Sequence, residues 1–176
     1  MIMYAEFVTS RIKWLGDPTL DIVHAAMGLL GEAVEYYNAT SQPNRLEELG
    51  DLEFYTEHAT QALSNLHPNT QFYTEVSREE ARGIQADIPR ALLHWTSEFH
   101  DRAKKLWIYN KKTVDFHAPL VRTRICLHFL TAEFGYLRED LQKQNQAKLE
   151  KRFPSGYSDS AAQARADKIG EKDDRA

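Results

Sequence analysis

The sequence lacks several features by which whole classes of protein are recognised. Cys126 is its only cysteine, which excludes an intrachain disulfide and a cysteine-rich zinc site. No stretch approaches the roughly 20 consecutive apolar residues of a membrane span, and residues 1–8 do not resemble a signal peptide. No segment alternates apolar and polar residues with the period of a half-buried strand. We therefore expect a soluble, cytoplasmic protein without strands, in which Cys126 is a small buried hydrophobe.

Basic residues are scarce in the first half of the chain. Residues 1–77 contain three of them, Arg11, Lys13 and Arg45, and have a charge balance of −8, whereas residues 78–176 have a balance of +4. The net charge of −4 argues against a protein that coats nucleic acid. An acidic half suits a cation and a mildly basic half suits a polyanion. A metal-bound polyphosphate would use both halves.

Apolar residues make up 42% of the chain and recur at helical spacing along most of it. This pattern indicates one all-α domain over residues 1–170, an antiparallel bundle of about five main helices and a short last helix, followed by a disordered tail over 171–176. The expected helices cover about 3–15, 19–38, 43–66, 89–110, 119–153 and 159–169, with Thr19 as the cap of the second. Residues 69–88 should form a connection with one helical turn, because Ser77 and Glu80 have the spacing of a capping box.

Two pairs of acids on neighbouring helices form the candidate site. Glu32 and Glu35 lie three positions apart in the second helix, and Glu48 and Asp51 lie three apart in the third. Each pair therefore projects from one face of its helix. The short connection makes the two helices antiparallel neighbours, which can bring the pairs face to face. Four convergent carboxylates would suit Mg²⁺ or Mn²⁺.

Acids three apart on a solvated helix are common, but three further features favour a site. The second helix is apolar nearly all round, which leaves Glu32 and Glu35 little surface that faces water. Between positions 13 and 78 the only basic residue is Arg45, so the usual counterions one helical turn away are missing. Glycine inside a helix lowers helix stability by roughly 1 kcal/mol relative to alanine. A glycine in such a position therefore indicates that a neighbouring helix or a ligand comes too close for a side chain. Three glycines occupy such positions beside the acids: Gly28, Gly31 and Gly50.

Two blocks of the sequence resemble the MazG-like nucleoside triphosphate pyrophosphohydrolases, and phage versions of that family in particular. The first block has the paired-acid pattern E-x-x-E followed by E-x-x-D, in Gly31-Glu32-Ala33-Val34-Glu35 and Leu46-Glu47-Glu48-Leu49-Gly50-Asp51-Leu52. The second is the stretch NQAKLEKRFPSGYS at positions 145–158, with Arg165 and Asp167 beyond it. The two blocks stand in the order that the family has.

The resemblance implies a helical bundle, completed by assembly into a homodimer or homotetramer, that hydrolyses a nucleoside triphosphate to the monophosphate and pyrophosphate. It implies Mg²⁺, for which Mn²⁺ can substitute, bound by Glu32, Glu35, Glu48 and Asp51. It also implies that Asn145, Lys148 and Arg152 lie near the phosphates. Some phage relatives, called MazZ, are specific for guanine nucleotides. A dGTP or GTP substrate, and the cytoplasm of a phage host, are therefore among the expectations.

The sequence departs from the family's pattern in two places. Gly31 stands where many members have an acid before Glu32, and the two blocks are further apart than in compact members. The intervening segment resembles a second, degenerate copy of the acidic hairpin over residues 89–153, without its final aspartate. The residues that suggest the copy are Glu98, Asp101, Lys104, Lys105, Tyr109, Glu133 and Tyr136. Lys104 in this segment could bind phosphate, or it could simply be a charged residue on the water-facing side of its helix.

For the chemistry, Glu35 or Glu48 could orient the attacking water while metal ions neutralise the phosphate charge. Lys148 and Arg152 lie four apart on one helical face. They could hold the leaving pyrophosphate, or they could be a charged last turn favoured by the helix dipole. Residues that could contact the base are Tyr4, Phe7, Trp14 and His24, although aromatic residues at helical spacing more often belong to a core.

Two other classes of function remain open. The pair His100-Asp101, with further histidines elsewhere in the chain, could belong to an HD-type metal phosphohydrolase. The acids could also be the solvated surface of a helical interaction module without enzymatic activity. A ferritin-like di-iron bundle is disfavoured, because the sequence contains no Glu-x-x-His.

Overall fold

The described part of the fold is built from helices. A computed structural model describes residues 3–68, 70 and 87–164. Within those ranges the helices are α1 Tyr4–Arg11, α2 Pro18–Asn38, α3 Gln42–Leu66, α4 Ile88–Ile108, α5 His117–Glu133, α6 Arg138–Arg152 and α7 Asp159–Ala164. The described ranges contain no strand, and the predicted all-α class is confirmed.

The starts of the long helices are fixed by side chains that accept hydrogen bonds from free backbone N–H groups. Asp17 accepts from the backbone N–H of Thr19 at 2.7 Å, so Asp17 caps α2 and the prediction of Thr19 as its cap is wrong. Pro18 follows as the first helical residue, where its missing N–H is not needed. Ser41 and Asp87 accept comparable bonds at the starts of α3 and α4.

Helices α2 and α3 form the centre of the bundle. The connection over residues 39–41 reverses the chain, so α2 packs along α3, and it packs on α4 as well. Helix α3 in turn contacts α5 and α6. Fully buried side chains fill the space between these helices, among them Ile22, Leu29, Leu52, Phe99 and Leu127. Each such side chain contributes about 1.5–3 kcal/mol through burial, which holds the facing acids of α2 and α3 in a fixed relation.

The N-terminal helix α1 belongs to a second, smaller apolar cluster. Phe7 and Val8 of α1 pack with Phe54 of α3 and with Leu149 and Phe153 at the end of α6. Helix α1 therefore lies next to the two helices that carry Asp51 and Asn145.

Some expected helix boundaries are wrong. The first helix ends at Arg11 rather than near position 15. The single helix expected over 119–153 is two helices, α5 and α6, separated at residues 134–137. Gly135 has a φ of 75° in this break, a left-handed conformation that an α-helix cannot include. The break lets α6 turn and pack against α3. The expected connection over 69–88, apart from residues 70, 87 and 88, and the tail over 171–176 lie outside the described residues.

Cys126 lies fully buried in the main core, as the sequence predicts. Burial raises the pKa of its thiol to about 12, so it is neutral in this position. Among the helices described here, none combines the length and the apolar character that a membrane crossing requires.

Candidate metal centre

Three of the four predicted acids converge between α2 and α3. Glu32 on α2 faces Glu48 and Asp51 on α3, and one carboxylate oxygen from each lies within 4.8 Å of the others. Oxygens at this separation can bind one divalent cation. In the described part of the chain no second group of three or more acids, histidines or cysteines is arranged in this way.

Glu35 lies at the edge of this acidic triad rather than in it. Three positions along a helix correspond to a rotation of about 300°, so the side chains of Glu32 and Glu35 diverge by about 60°. Glu32 turns toward α3 and is partly buried, while Glu35 is exposed. Its charge nevertheless contributes to raising the pKa values of Glu32 and Glu48, which places it close to both.

Burial of the triad disfavours full ionisation of its carboxyl groups. The pKa of Glu32 is raised to about 9, mainly by burial and then by the charge of Asp51 and a hydrogen bond with Glu48. Burial is also the main cause that raises the pKa of Glu48 to about 7, although the hydrogen bond with Glu32 lowers it. The two carboxyl groups therefore share a proton at neutral pH.

The donor set of the triad fits a hard divalent cation. It consists of carboxylate oxygens, the ligand type of Mg²⁺ and Mn²⁺, and none of the described histidines joins it. Only 9% of Glu48 is exposed, so the triad is partly shielded from water. A bound dication would replace the shared proton and offset the repulsion among the three carboxylates.

Helix α6 supplies a counterion that the sequence around the acids lacks. Lys148 donates from Nζ to both carboxylate oxygens of Asp51, at 2.5 Å to Oδ1, and reaches Glu47 Oε1 at 3.4 Å. Asn145 donates from Nδ2 to Asp51 Oδ1 at 2.6 Å. The two sequence blocks that were singled out above therefore meet in the fold, although Asn145 follows Asp51 by 94 positions.

The close approach predicted for the helical glycines is found at two of the three positions. A Cβ built on Gly28 would fall 2.3 Å from the ring of Tyr55, and one on Gly50 would fall 3.3 Å from Cβ of Asn145. Gly50 thus lets α6 bring Asn145 up to α3. At Gly31 nothing lies within 4 Å of such a Cβ, so close packing does not explain that glycine.

Tyr55 was not among the predicted site residues, yet it borders the triad. Its ring lies against Gly28, and its pKa is raised by burial and then by the charges of Glu32 and Asp51. The charge of Arg152, at the end of α6, opposes this rise. The Tyr55 hydroxyl is therefore within electrostatic range of both the acids and the end of α6. Its position four residues after Asp51, on the same helical face, was the available signal.

Beyond Tyr55 lies a cluster of aromatic rings and histidines from α2, α3 and the segment before α2. His58 is fully buried, and its ring centroid lies 5.0 Å from that of His24 and 5.1 Å from that of Trp14. Trp14 also donates from Nε1 to the carbonyl of Thr9 at 3.1 Å. Neither ring nitrogen of His58 has a hydrogen-bond partner among the described residues. Burial lowers the pKa of His58 to about 3, which keeps the ring neutral.

Four of the seven residues that suggested a second hairpin are engaged in local ion pairs. Asp101 accepts from Lys104 at 2.8 Å and from Lys105 at 2.5 Å, all on α4, and Glu98 pairs with Arg102 at 3.6 Å. Within the described residues this segment forms no acidic group like the triad. His100 and Asp101 likewise belong to no candidate metal group there.

A cavity of about 370 Å³ opens beside the triad between α3 and α6. Pro43, Leu46 and Gly50 line it from α3, and Gln144, Lys148 and Lys151 line it from α6. The cavity is large enough for part of a nucleotide, and its α6 side offers two cationic groups to an anion.

Comparisons of the chain with protein-family models, with curated proteins and with solved structures find no match.

Proposed function

We propose that this chain is a nucleoside triphosphate pyrophosphohydrolase of the MazG-like kind, which cleaves its substrate to the monophosphate and pyrophosphate with Mg²⁺. The main support is the convergence of Glu32, Glu48 and Asp51 within 4.8 Å of one another, with Lys148 beside them. The separate convergence of the two sequence blocks on this one place adds to it. The acids of a merely solvated surface would be exposed and would not require a partner from another helix. Here Glu48 is buried, and Lys148, which is remote in the sequence, forms an ion pair with Asp51.

In this proposal Glu32, Glu48 and Asp51 hold the metal. The cation would neutralise phosphate charge and make a water easier to deprotonate. Glu35 is assigned the orientation of that water, because it stands at the exposed edge of the triad, where water can reach it. Glu48 is the alternative residue for this task, since its pKa of about 7 lets it exchange a proton at neutral pH.

Cationic side chains on α6 would bind the polyphosphate. Lys148 already lies at the triad, and Lys151 lines the adjoining cavity. Arg152, at the end of the helix, acts electrostatically on Tyr55 and so lies within electrostatic range of the triad's edge. A fork of N–H donors such as that of arginine matches phosphate oxygens well. Lys104 is assigned no part, because Asp101 on its own helix engages it.

The ring cluster next to the triad is assigned to the base. Trp14 and His24 each contact His58, and His24 also contacts Tyr55. The charges of Glu32 and Asp51 act on Tyr55, which links the cluster to the triad. His58 offers one donor and one acceptor nitrogen there, which could read the edge of a base. The resemblance to phage MazG-like proteins places dGTP and GTP first among the substrates to test.

Self-assembly belongs to the same proposal. Helix α2 exposes Met27, Val34 and Tyr37, three large apolar side chains on the element that carries Glu32. Apolar groups on one helix favour burial against another surface. We expect a homodimer or homotetramer in solution, which sedimentation would reveal.

The test is a pyrophosphate-release screen across ribo- and deoxynucleoside triphosphates with Mg²⁺, with analysis of the nucleotide product. We expect the monophosphate together with pyrophosphate, and loss of activity in Glu48→Gln and Asp51→Asn. Glu133→Gln is the matched control, because Glu133 is an exposed acid at the end of α5.

Other outcomes of the screen point to the other classes of function. Stepwise release of phosphate, abolished by His100→Ala, would indicate an HD-type phosphohydrolase. Absence of hydrolysis together with absence of Mn²⁺ binding in calorimetry would indicate a helical interaction module.

A further inference from the structure

A chain of two hydrogen bonds links the N-terminal helix to the candidate metal centre. The hydroxyl of Tyr4 in α1 donates to Oδ1 of Asn145 in α6 at 3.1 Å. Nδ2 of the same Asn145 donates to Oδ1 of Asp51 in α3 at 2.6 Å. Three helices thus meet through one amide group.

These two bonds allow only one orientation of the Asn145 amide. An amide turned by 180° would place its carbonyl oxygen against the Asp51 carboxylate, where two acceptors repel each other. It would also lose the bond donated by Tyr4. Burial, followed by the charge of Glu53, raises the pKa of Tyr4 well above its usual range, so the phenol keeps the proton that it donates.

Packing leaves Asn145 little freedom to relax if one bond is lost. The residue is only 3% exposed, and its Cβ approaches the backbone of Gly50. Tyr4 is itself stacked on Phe7 with 6.0 Å between ring centroids, within the cluster that joins α1 to α6. The ring of Tyr4 is thereby packed, partly buried, against this cluster, which differs from the base-stacking role considered from the sequence.

We propose that Tyr4 is a positioning residue for the metal centre, which acts through the amide of Asn145 to fix the carboxylate of Asp51. The inference rests on the proposed function, because it needs Asp51 to be a metal ligand. Groups that hydrogen-bond to ligating carboxylates orient them and tune metal affinity. Tyr4 stands one step further out and determines which way that hydrogen-bonding group faces.

The first measurement is calorimetric Mn²⁺ binding to the full chain and to Tyr4→Phe, which removes only the hydroxyl. We expect the dissociation constant to rise about three- to tenfold, the range for loss of one hydrogen bond that supports a ligand. Tyr157→Phe is the matched control, because its hydroxyl donates to the exposed Asp159 at 2.8 Å and has no bond toward Asp51. This control should bind Mn²⁺ as the unsubstituted chain does.

The second measurement separates positioning from general stability. If Tyr4 acts through Asn145, Tyr4→Phe has no further effect on Mn²⁺ affinity in an Asn145→Ala background, with Asn145→Ser as the substitute if that variant does not fold. Independent contributions would instead add. The side-chain amide hydrogens of Asn145 give a readout by NMR without metal. They should exchange with solvent faster in Tyr4→Phe than in the unsubstituted chain, and at an unchanged rate in Tyr157→Phe.

The outcomes distinguish this inference from the proposed function. If the unsubstituted chain binds no Mn²⁺, the metal centre and the role of Tyr4 in it both fall. If the chain binds Mn²⁺ and Tyr4→Phe binds it equally well, or if the two losses add in the double variant, only the role of Tyr4 falls. The inference is supported if Tyr4→Phe weakens Mn²⁺ binding in the otherwise unsubstituted chain but causes no further weakening in the Asn145→Ala background.

Discussion

The ring of Tyr55 in α3 lies directly against the backbone of Gly28 in α2: a Cβ on Gly28 would fall 2.3 Å from Cδ1 and Cε1 of that ring. Two non-bonded carbon atoms do not approach each other so closely. Gly28→Ala should therefore lower the free energy of unfolding by about 1–3 kcal/mol, the range for an overpacked core. The loss should appear although alanine is the better helix former by about 1 kcal/mol. Urea unfolding followed by circular dichroism measures it.

Gly31 gives a control in the same helix. A Cβ there meets nothing within 4 Å, so Gly31→Ala should raise the free energy of unfolding by about 0.5–1 kcal/mol. In a Tyr55→Ala background the penalty of Gly28→Ala should shrink, because the opposing ring is gone. Equal effects of the two glycine substitutions would show that the ring does not press on Gly28.

Glu35 can be separated from the metal ligands by comparing catalysis with binding. Because it stands at the edge of the triad, Glu35→Gln should lower kcat by about 10²–10⁴-fold, the usual contribution of a general base, and leave most of the Mn²⁺ affinity in place. Asp51→Asn should weaken Mn²⁺ binding itself. Steady-state kinetics and calorimetry on the same preparations decide the matter. Loss of Mn²⁺ affinity in Glu35→Gln equal to that in Asp51→Asn would make Glu35 a ligand.

Metal binding should release protons from the triad. The pKa values of about 9 for Glu32 and about 7 for Glu48 mean that the folded, metal-free triad carries protons at neutral pH, and the cation requires ionised ligands. Mn²⁺ affinity should therefore increase as the pH rises through this window. Calorimetry in buffers with different ionisation enthalpies counts the protons released. An affinity that stays constant from about pH 6 to about pH 9 would contradict the shared proton.

The acidic hairpin was predictable because all its determinants are local. Proline and a capping side chain begin both α2 and α3, the connection between them is short, and the acids recur at helical spacing. The position of Glu35 was less certain for a physical reason. A spacing of three residues leaves an angle of about 60° between side chains, which allows both acids of a pair to reach a site or only one of them. On α3 both Glu48 and Asp51 reach it, whereas on α2 Glu35 stays exposed, and only the packing of the folded chain decides between the two cases.

The contacts made by α6 were beyond reach from the sequence. Phe134, Leu137 and Leu141 continue the helical spacing across the break after α5, so only Gly135 signalled the turn. The bond from Tyr4 to Asn145 spans 141 positions, and no periodicity encodes it. The resemblance implied that Asn145 and Lys148 approach the phosphates, but their contacts with Asp51 appear only in the folded chain.

A buried carboxylate makes the pair of Glu53 and Arg138 asymmetric. The Glu53 side chain is 5% exposed and that of Arg138 is 37% exposed, with 2.7 Å between Oε2 and Nε. Arg138→Met leaves the Glu53 charge buried without this partner and should cost about 2–3 kcal/mol, less than a fully buried pair because Arg138 partly faces water. Glu53→Gln should cost about 1 kcal/mol, because Arg138 can turn to solvent. Urea unfolding of both variants and of the double variant tests this, and equal single losses would contradict it.

His58 should limit stability in acid. Its pKa is lowered to about 3 in the folded chain, against an ordinary value of 6.5, because burial disfavours the charged ring and His24 adds to the effect. As the pH falls from 6.5 toward 3, the unfolded chain takes up a proton that the folded chain does not, so the free energy of unfolding decreases.

His58→Leu removes this titration and two buried ring nitrogens without partners among the described residues. Its melting temperature relative to the unsubstituted chain should be higher at about pH 5 than at about pH 7.5. The exposed His128, replaced by leucine, serves as the control for loss of a histidine at the surface. If His58→Leu shifts the melting temperature equally at both pH values, the buried ring does not set the acid limit, and the cluster of His24, His58 and Trp14 opens to water before it titrates.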